Sequence, residues 1–385
     1  MTKRRRGEKS DVTVCAPPDH FANNPQVIRT EREVVLVFGL QEIDKLRLLR
    51  THHHYQPVAR TCWAVSCDGG FTWHNTDIAP ELGRIVDASY GVPLGDGGMV
   101  TITFARPFLI PHALIQRGRV GYMPYNPTLP AEKTIPLTDF GPFRHFYFHA
   151  MIRTSDGALL AAGYAPTPED TAGRHFTGVF LRSEDDGHSW RYLSHAPAPQ
   201  VFSFSETGLV SGKGGRVVVI LRADWDSVPL EERPAEARVG YGYFLYQMES
   251  ADNGRTWSEP VRLPLWGHPP FLLRLASGAI LMVYGHRRPP YSVRAILSPD
   301  DGKTWDLRTL RTLRQFDPGN YDLGYPQATQ LADGTVLCAY YGYSTDKADG
   351  MLDIHGNPLS LNPCGIFVSL FDEGWLRKGE HGIQP

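Results

Sequence analysis

The 385-residue chain is 42% hydrophobic and 11% aromatic, and its 39 Lys plus Arg nearly cancel its 41 Asp plus Glu, leaving a formal charge of −2. Such a make-up buries a large core and excludes a disordered segment, a collagen and a coiled coil. With no global field to draw it onto nucleic acid or an anionic membrane, the chain must meet any charged partner with a local cluster of side chains.

The start, Met1 to Lys9, is basic, but no apolar segment follows it in Ser10-Asp-Val-Thr-Val-Cys-Ala-Pro. Residues 1–10 therefore read as a flexible basic arm rather than a secretory leader, which places the protein in the cytoplasm. Apolar runs such as Val217 to Leu221 fall far short of the roughly 20 residues of a membrane helix. The five cysteines are odd in number and form no CxxC pair, which argues against a disulfide scaffold and a structural zinc site. No cofactor motif is present and nothing requires a metal.

From residue 11 onward one pattern repeats: a turn-forming acidic or small residue, Gly, a spacer and a β-rich apolar run. It occurs as Asp96-Gly-Gly-Met-Val-Thr-Ile, Asp156-Gly-Ala-Leu-Leu, Gly214-Gly-Arg-Val-Val-Val-Ile, Ser277-Gly-Ala-Ile-Leu-Met-Val and Asp333-Gly-Thr-Val-Leu, preceded by a glycine-free relative, Glu31-Arg-Glu-Val-Val-Leu-Val-Phe. The first apolar residues, Val34, Met99, Leu159, Val217, Ile280 and Val336, are 65, 60, 58, 63 and 56 residues apart. Each interval holds about four strands of five to six residues with their turns. Six small sheets buried on both faces predict an all-β fold, a six-bladed β-propeller made of one domain over residues 11–385. The last unit runs out of chain before its fourth strand, so Asp11-Val-Thr-Val-Cys-Ala from the N-terminus is expected to close the ring.

Inside these units a second motif recurs: Ser66-Cys-Asp68-Gly-Gly70-Phe-Thr72-Trp73, Ser183-Glu-Asp185-Asp-Gly187-His-Ser189-Trp190, Ser250-Ala-Asp252-Asn-Gly254-Arg-Thr256-Trp257 and Ser298-Pro-Asp300-Asp-Gly302-Lys-Thr304-Trp305. Asp and Ser/Thr side chains in this spacing satisfy turn amides, Gly takes a conformation closed to other residues, and Trp packs between sheets. The aspartates lie 117, 67 and 48 residues apart, so one unit lacks the motif, where Gly121-Tyr-Met-Pro-Tyr-Asn-Pro stands. Ser369-Leu-Phe-Asp372-Glu-Gly374-Trp375 reads as a remnant in the last unit. The motif is the Asp-box, or BNR repeat, and the chain resembles the sialidase superfamily of six-bladed propellers.

Counting eight residues back from each turn gives the positions expected to face one mouth of the axial channel: Asn23, Ala88, Phe148, Glu206, Pro269 and Tyr325. The resemblance implies a tyrosine nucleophile activated by a glutamate, a separate acid, and arginines that hold a substrate carboxylate. Phe204-Ser-Glu206-Thr-Gly followed by Arg222 is similar to the family's base and carboxylate-binding segment, and Asp322-Leu-Gly-Tyr325-Pro-Gln-Ala to its nucleophile segment. A further clamp arginine is implied in Tyr284-Gly-His286-Arg287-Arg288-Pro-Pro-Tyr291-Ser-Val-Arg294. Arg288, on the loop, and Arg294, on the strand, both qualify, and the loop reaches the mouth more readily.

The chain departs from the family where an Arg-Ile-Pro segment would supply the first clamp arginine, for it reads Asn23-Asn24-Pro25. The stretch that would hold the acid carries only Asp44, with Thr51-His52-His53-His54-Tyr55 after it. Asp87 is the substitute acid, although it comes one unit later and one residue off the counted position, and His53 is a candidate substrate ligand. His149, beside Phe148, is either a mouth residue or a packed one. The resemblance thus implies an exo-glycosidase acting on a terminal acidic sugar, with no cofactor. A non-catalytic carbohydrate-binding propeller and a polysaccharide lyase on the same scaffold remain alternatives.

Overall fold

Short β-branched and aromatic runs broken by Gly, Asp and Pro favour antiparallel strands joined by tight turns. The computed structural model describes residues 6–48, 60–105, 110–116, 133–170, 175–225, 228–238, 243–316, 322–343, 351–352, 358–359 and 363–378, and it is an all-β structure. The triple histidine at 52–54, including His53, and the segment 121–127 lie outside the described residues, as do residues 1–5 of the basic arm.

Four of the sheets are four-stranded meanders in chain order. They begin with the strands Gly91–Pro93, Tyr147–Arg153, Ser203–Ser211 and Pro270–Arg274, and they end with Lys133–Pro136, Arg191–His195, Val261–Trp266 and Asp306–Gln315. A fifth meander starts at His20–Thr30 and ends at His74–Thr76, and a last group is made of Gly324–Gln330, Val336–Tyr343 and Cys364–Phe371. These two groups belong to one nine-stranded sheet, because Phe21 pairs in parallel with Cys364. Ser10–Cys15 pairs antiparallel with Cys364–Phe371, with Ser10 opposite Leu370 and Cys15 opposite Ile366. The last group thereby receives a strand from the N-terminus.

That pairing changes the reading of the basic arm. The Gly7 amide donates to Asp372 at 2.9 Å, Lys378 Nζ donates to the Gly7 carbonyl at 2.6 Å, and Lys9 Nζ donates to the Leu313 carbonyl at 2.6 Å. Residues 7–10 are anchored rather than free. The same contacts revise the expected motif remnant, since Asp372 caps a short helix, Glu373–Arg377, by accepting from the Trp375 amide.

The four motif turns share one set of bonds. In the third, Ser250 Oγ donates to Asp252 at 2.7 Å and accepts from the Gly254 amide at 2.8 Å, while the Asp252 carboxylate accepts from the Thr256 amide at 2.9 Å and hydroxyl at 2.7 Å. The motif glycine then touches the preceding sheet. A Cβ on Gly302, at φ +82°, would come 2.7 Å from Val218, and one on Gly70 would come 2.6 Å from Leu337, which seats the first sheet against the last. The facing strands are apolar on both sides, and Val217 to Leu221 are fully buried.

Two outcomes follow from this packing. Gly302→Ala and Gly278→Ala both place an L residue at positive φ, but the Gly278 position opens onto empty space. Gly302→Ala should therefore cost about 1–3 kcal/mol more than Gly278→Ala in urea unfolding, the difference being the overpacking against Val218. The second concerns pH. Partial burial acts to raise the Asp252 carboxyl, but bonds from the Thr256 hydroxyl and amide and from Ser250 outweigh it and hold it at about 2. Because that folded value lies below the unfolded one of about 3.9, the contribution is complete above pH 4 and disappears as pH falls toward 2. Asp252→Asn should flatten the acid limb of the melting-temperature profile over that window.

Candidate functional site

The site is made by irregularities in the innermost strands. Each of four inner strands carries an extra residue near its start, where the register shifts between Asn23 and Gln26, Phe148 and Ala150, Phe204 and Thr207, and Gly324 and Gln327. Such bulges interrupt the ladder and re-aim a side chain. The residues inside them are Asn24-Pro25, His149, Ser205-Glu206 and Tyr325-Pro326. Asn24 and Tyr325 occupy equivalent places and both have positive φ, +49° and +43°. A tyrosine in that region is rare and marks a strained position. Gly324 permits it, since a Cβ there would come 3.0 Å from Gly285 of the neighbouring sheet.

The bulges bring Glu206 and Tyr325 together across 119 positions of sequence, and the Tyr325 hydroxyl donates to Glu206 Oε1. Arg222 stands opposite the Glu206 bulge on the adjacent strand. Its Nη1 donates to Glu206 Oε2, and its Nε donates to Asp224 Oδ1 at 2.7 Å. Asp224, two residues along the same strand, also accepts from Ser205 Oγ. Arg287 lies on the other side, its guanidinium carbon 5.5 Å from the centre of the Tyr325 ring. Its Nε donates to the Leu323 carbonyl at 2.8 Å, and its Nη2 is 3.3 Å from the Tyr341 hydroxyl and 3.6 Å from Asp322. Tyr341 stacks on Tyr325 with ring centres 5.9 Å apart.

This environment fixes the resting protonation. Burial acts to raise the Glu206 carboxyl, but its neighbours, the Arg222 guanidinium foremost, outweigh it and hold Glu206 below the usual range. Burial and then the Glu206 charge push the Tyr325 phenol well above its ordinary value. The proton therefore rests on Tyr325. His149 is buried with its ring 6.4 Å from that of Tyr325 and 5.7 Å from that of Tyr90. Its Nδ1 is 3.1 Å from the Thr207 carbonyl, which can only accept, so Nδ1 carries the hydrogen and Nε2 presents a lone pair. Burial lowers the His149 pKa and keeps the ring neutral. Its Nε2 has no hydrogen-bond partner among the described residues.

Three expected site residues stand elsewhere. Asp87 pairs with Arg29 rather than opening the second sheet, because Ile85–Ala88 is added to the edge of the His20–Thr30 strand. Its carboxylate accepts from Thr329 Oγ1, four residues along the strand from Tyr325, or about 13 Å at strand rise. There it lines a cavity of about 350 Å³ running between the inner strands, with His149, Thr207 and Gln327. Arg288 lies over Trp266, 4.6 Å from the ring centre, with Nε 3.4 Å from His286 Nε2. Arg294 is opposite Tyr284 in the sheet and donates to Ser292 Oγ at 3.2 Å. The arginine at Tyr325 is thus Arg287, the first residue past the Ile280–His286 strand, turned inward by the Leu323 carbonyl. Phe148 packs into the core, and the bulge sets His149, one residue on, out of the regular alternation. One signal for these placements was visible in the sequence: Asn24-Pro25-Gln26 repeats as Tyr325-Pro326-Gln327. Among the described residues no group of three or more His, Cys, Asp or Glu is arranged to hold a metal, and no described helix is long and apolar enough to cross a membrane.

Over residues 128–338 the sequence matches the BNR repeat-like domain family. The chain belongs to that family. Among solved structures, this BNR-repeat protein is similar to a protein of unknown function from Dyadobacter fermentans, with 23% identity and a TM-score of 0.66 over 94% of this chain and 97% of the other. The Trypanosoma rangeli sialidase in complex with the inhibitor DANA aligns with 14% identity and a TM-score of 0.56, covering 95% of this chain and 60% of that one. The K499G mutant of NanB sialidase from Streptococcus pneumoniae aligns with 11% identity and a TM-score of 0.50, over 91% and 68%. At these identities the likeness is one of fold, and the chain spans about three-fifths of the length of the Trypanosoma sialidase. No curated protein matches the sequence.

Within this BNR-repeat protein Arg222 joins two buried carboxylates. Arg222→Met should leave both without their cation and lower stability by about 3–5 kcal/mol in denaturant titration at pH 7. The loss should shrink at acid pH, where the carboxyls take up protons.

Proposed function

We propose that the chain is a sialidase-like retaining exo-glycosidase on a six-bladed β-propeller, one ring spanning residues 11–385 and closed by the Ser10–Cys15 strand, with Tyr325 as nucleophile and Glu206 as its base. The observation that carries this reading is the hydrogen bond from the Tyr325 hydroxyl to an arginine-held carboxylate at the convergence of the inner strands. A carboxylate held ionised beside a phenol held protonated is poised for one transfer. As Tyr325 Oη bonds to the anomeric carbon, its proton passes to Glu206 Oε1, and the glycosidic bond breaks with its electron pair going to the leaving oxygen, which takes a proton from solvent. Water then attacks the anomeric carbon and releases one proton to solvent, while the bond to Tyr325 Oη breaks and Glu206 returns its proton to that oxygen. Support comes from the shared fold, since the Trypanosoma rangeli sialidase is known in complex with 2,3-difluorosialic acid as a covalent intermediate. Asp87 has no part in this scheme, because its carboxylate is bonded to Thr329, four residues along the strand from Tyr325.

Fluorogenic glycosides of neutral, uronic and sialic sugars test the proposal. Tyr325→Phe and Glu206→Gln should each lower kcat by about 10²-fold or more with the fold retained, while Asp87→Asn stays within about threefold. Because Glu206 must be ionised and its pKa is depressed, kcat/KM should hold through the ordinary glutamate range near pH 4.3 and fall only below it. Turnover untouched by both substitutions sinks the reading. Affinity for sugars without any turnover would establish a binding module instead, and a product absorbing in the ultraviolet would establish a lyase.

A further inference from the structure

We infer that the sugar ring seated at Tyr325 and Glu206 is neutral and hydroxyl-rich, not carboxylated. This deepens the glycosidase reading and rests on it for the position of the ring. Three observations converge.

The first is charge. Among the described residues, the guanidiniums in contact with the pair are Arg222 and Arg287, and both are already engaged. Arg222 spans Glu206 and Asp224, and Arg287 is held by the Leu323 carbonyl, Tyr341 and Asp322. Among the described residues, three buried carboxyl groups thus face two buried guanidiniums. A substrate carboxylate would enter as a fourth anion, taking its cation from a buried carboxylate that would then be unpaired, and breaking such a pair is strongly unfavourable.

The second is the first sheet. Where a clamp needs a cation the chain has Asn23 and Asn24. Asn23 is fully buried, and its Oδ1 and Nδ2 have no partner among the described residues. Asn24, at the register position that Tyr325 holds in the last sheet, also has an unpartnered buried Oδ1. An amide offers a neutral hydroxyl both an acceptor and a donor, but it cannot balance a buried charge.

The third is His149. It is neutral, its Nδ1 hydrogen is committed to Thr207, and the group left to its surroundings is the acceptor Nε2, on a ring whose centre lies 6.4 Å from that of Tyr325. An acceptor lone pair repels a carboxylate and calls for a hydroxyl donor. A site that hydrogen-bonds a hydroxyl discriminates strongly against an analogue lacking it, because the buried acceptor is then left unpaired.

The experiment uses p-nitrophenyl glycosides in matched pairs that differ only in the oxidation state of C6, glucoside with glucuronide and galactoside with galacturonide in both anomers, with a sialoside alongside. The wild type is assayed for turnover. Tyr325→Phe is titrated calorimetrically with the same compounds, so that binding is ranked independently of catalysis. The neutral member of the preferred pair should win by about tenfold or more in both measurements, and the sialoside should rank below it. Asp224→Asn, which removes one carboxylate from Arg222, should cut that preference by about tenfold with the fold intact. Equal or better binding of the carboxylated member or the sialoside overturns the inference. So does a preference unmoved by Asp224→Asn, or the binding of no pair at millimolar concentration. Neutral preference in binding with no hydrolysis of any pair leaves the inference standing and removes the glycosidase reading.

Discussion

A four-stranded sheet that is apolar on both faces cannot stand alone, and everything in this chain answers that constraint. Each sheet needs a neighbour on either side, and the Asp-box sets the spacing. Its carboxylate and hydroxyl satisfy the turn amides so that a glycine at positive φ can press against the second strand of the preceding sheet. Gly187 meets Val100, Gly254 meets Leu160, Gly302 meets Val218, and Gly70 of the first sheet meets Leu337 of the last. The N-terminal strand on Cys364–Phe371 and the parallel contact of Phe21 with Cys364 cover the edges that would otherwise be left at the two ends of the chain.

Stacking of this kind brings the starts of the inner strands near one another, but regular strands would alternate their side chains and deliver few of them to a common point. The bulges change that. One extra residue near the start of four inner strands places Asn24, His149, Glu206 and Tyr325 out of the regular alternation. Glu206 then meets a cation, Arg222, projecting from the opposite side of the same bulge. Burying this network is costly, and hydrophobic residues of similar volume would pack there at least as stably. A cluster that stability does not call for, built on a strained tyrosine and a depressed glutamate, is where function is expected to reside.

What the sequence revealed follows from the range of each interaction. The Asp-boxes and DG turns are local, because every bond in them spans a few residues, so their spacing predicted small repeated sheets. Counting from those turns also reached Glu206 and Tyr325, and the family resemblance of the segment after Glu206 pointed to Arg222. Counting failed where a distant neighbour decides the outcome. Arg287 is chosen over Arg288 by the Leu323 carbonyl, which belongs to another sheet. Ile85–Ala88 joins the first sheet instead of opening the second, and this carries Asp87 away from the pair. His149 rather than Phe148 leaves the regular alternation because a bulge adds one residue to a count that assumed none. Asp372 serves as a helix cap and an anchor for Gly7, a partner 365 positions away.

The protonation of the pair links the fold to its chemistry. Desolvation alone would favour neutral forms of both groups, as it raises the carboxyl of Glu206 and the phenol of Tyr325 alike. Arg222 breaks the symmetry: touching Glu206 directly, it returns that carboxyl to the ionised form, and the resulting anion pushes the phenol higher still. The proton is thus fixed on Tyr325 until a new bond to its oxygen lowers the phenol's hold on it. The same asymmetry limits what can bind beside it. On the proposed reading, Arg222 cannot neutralise Glu206 and Asp224 and also serve a substrate carboxylate without surrendering the ionised base on which the nucleophile would depend. On that reading, the selection of a neutral sugar and the activation of Tyr325 would be two consequences of one arginine's engagement by two carboxylates.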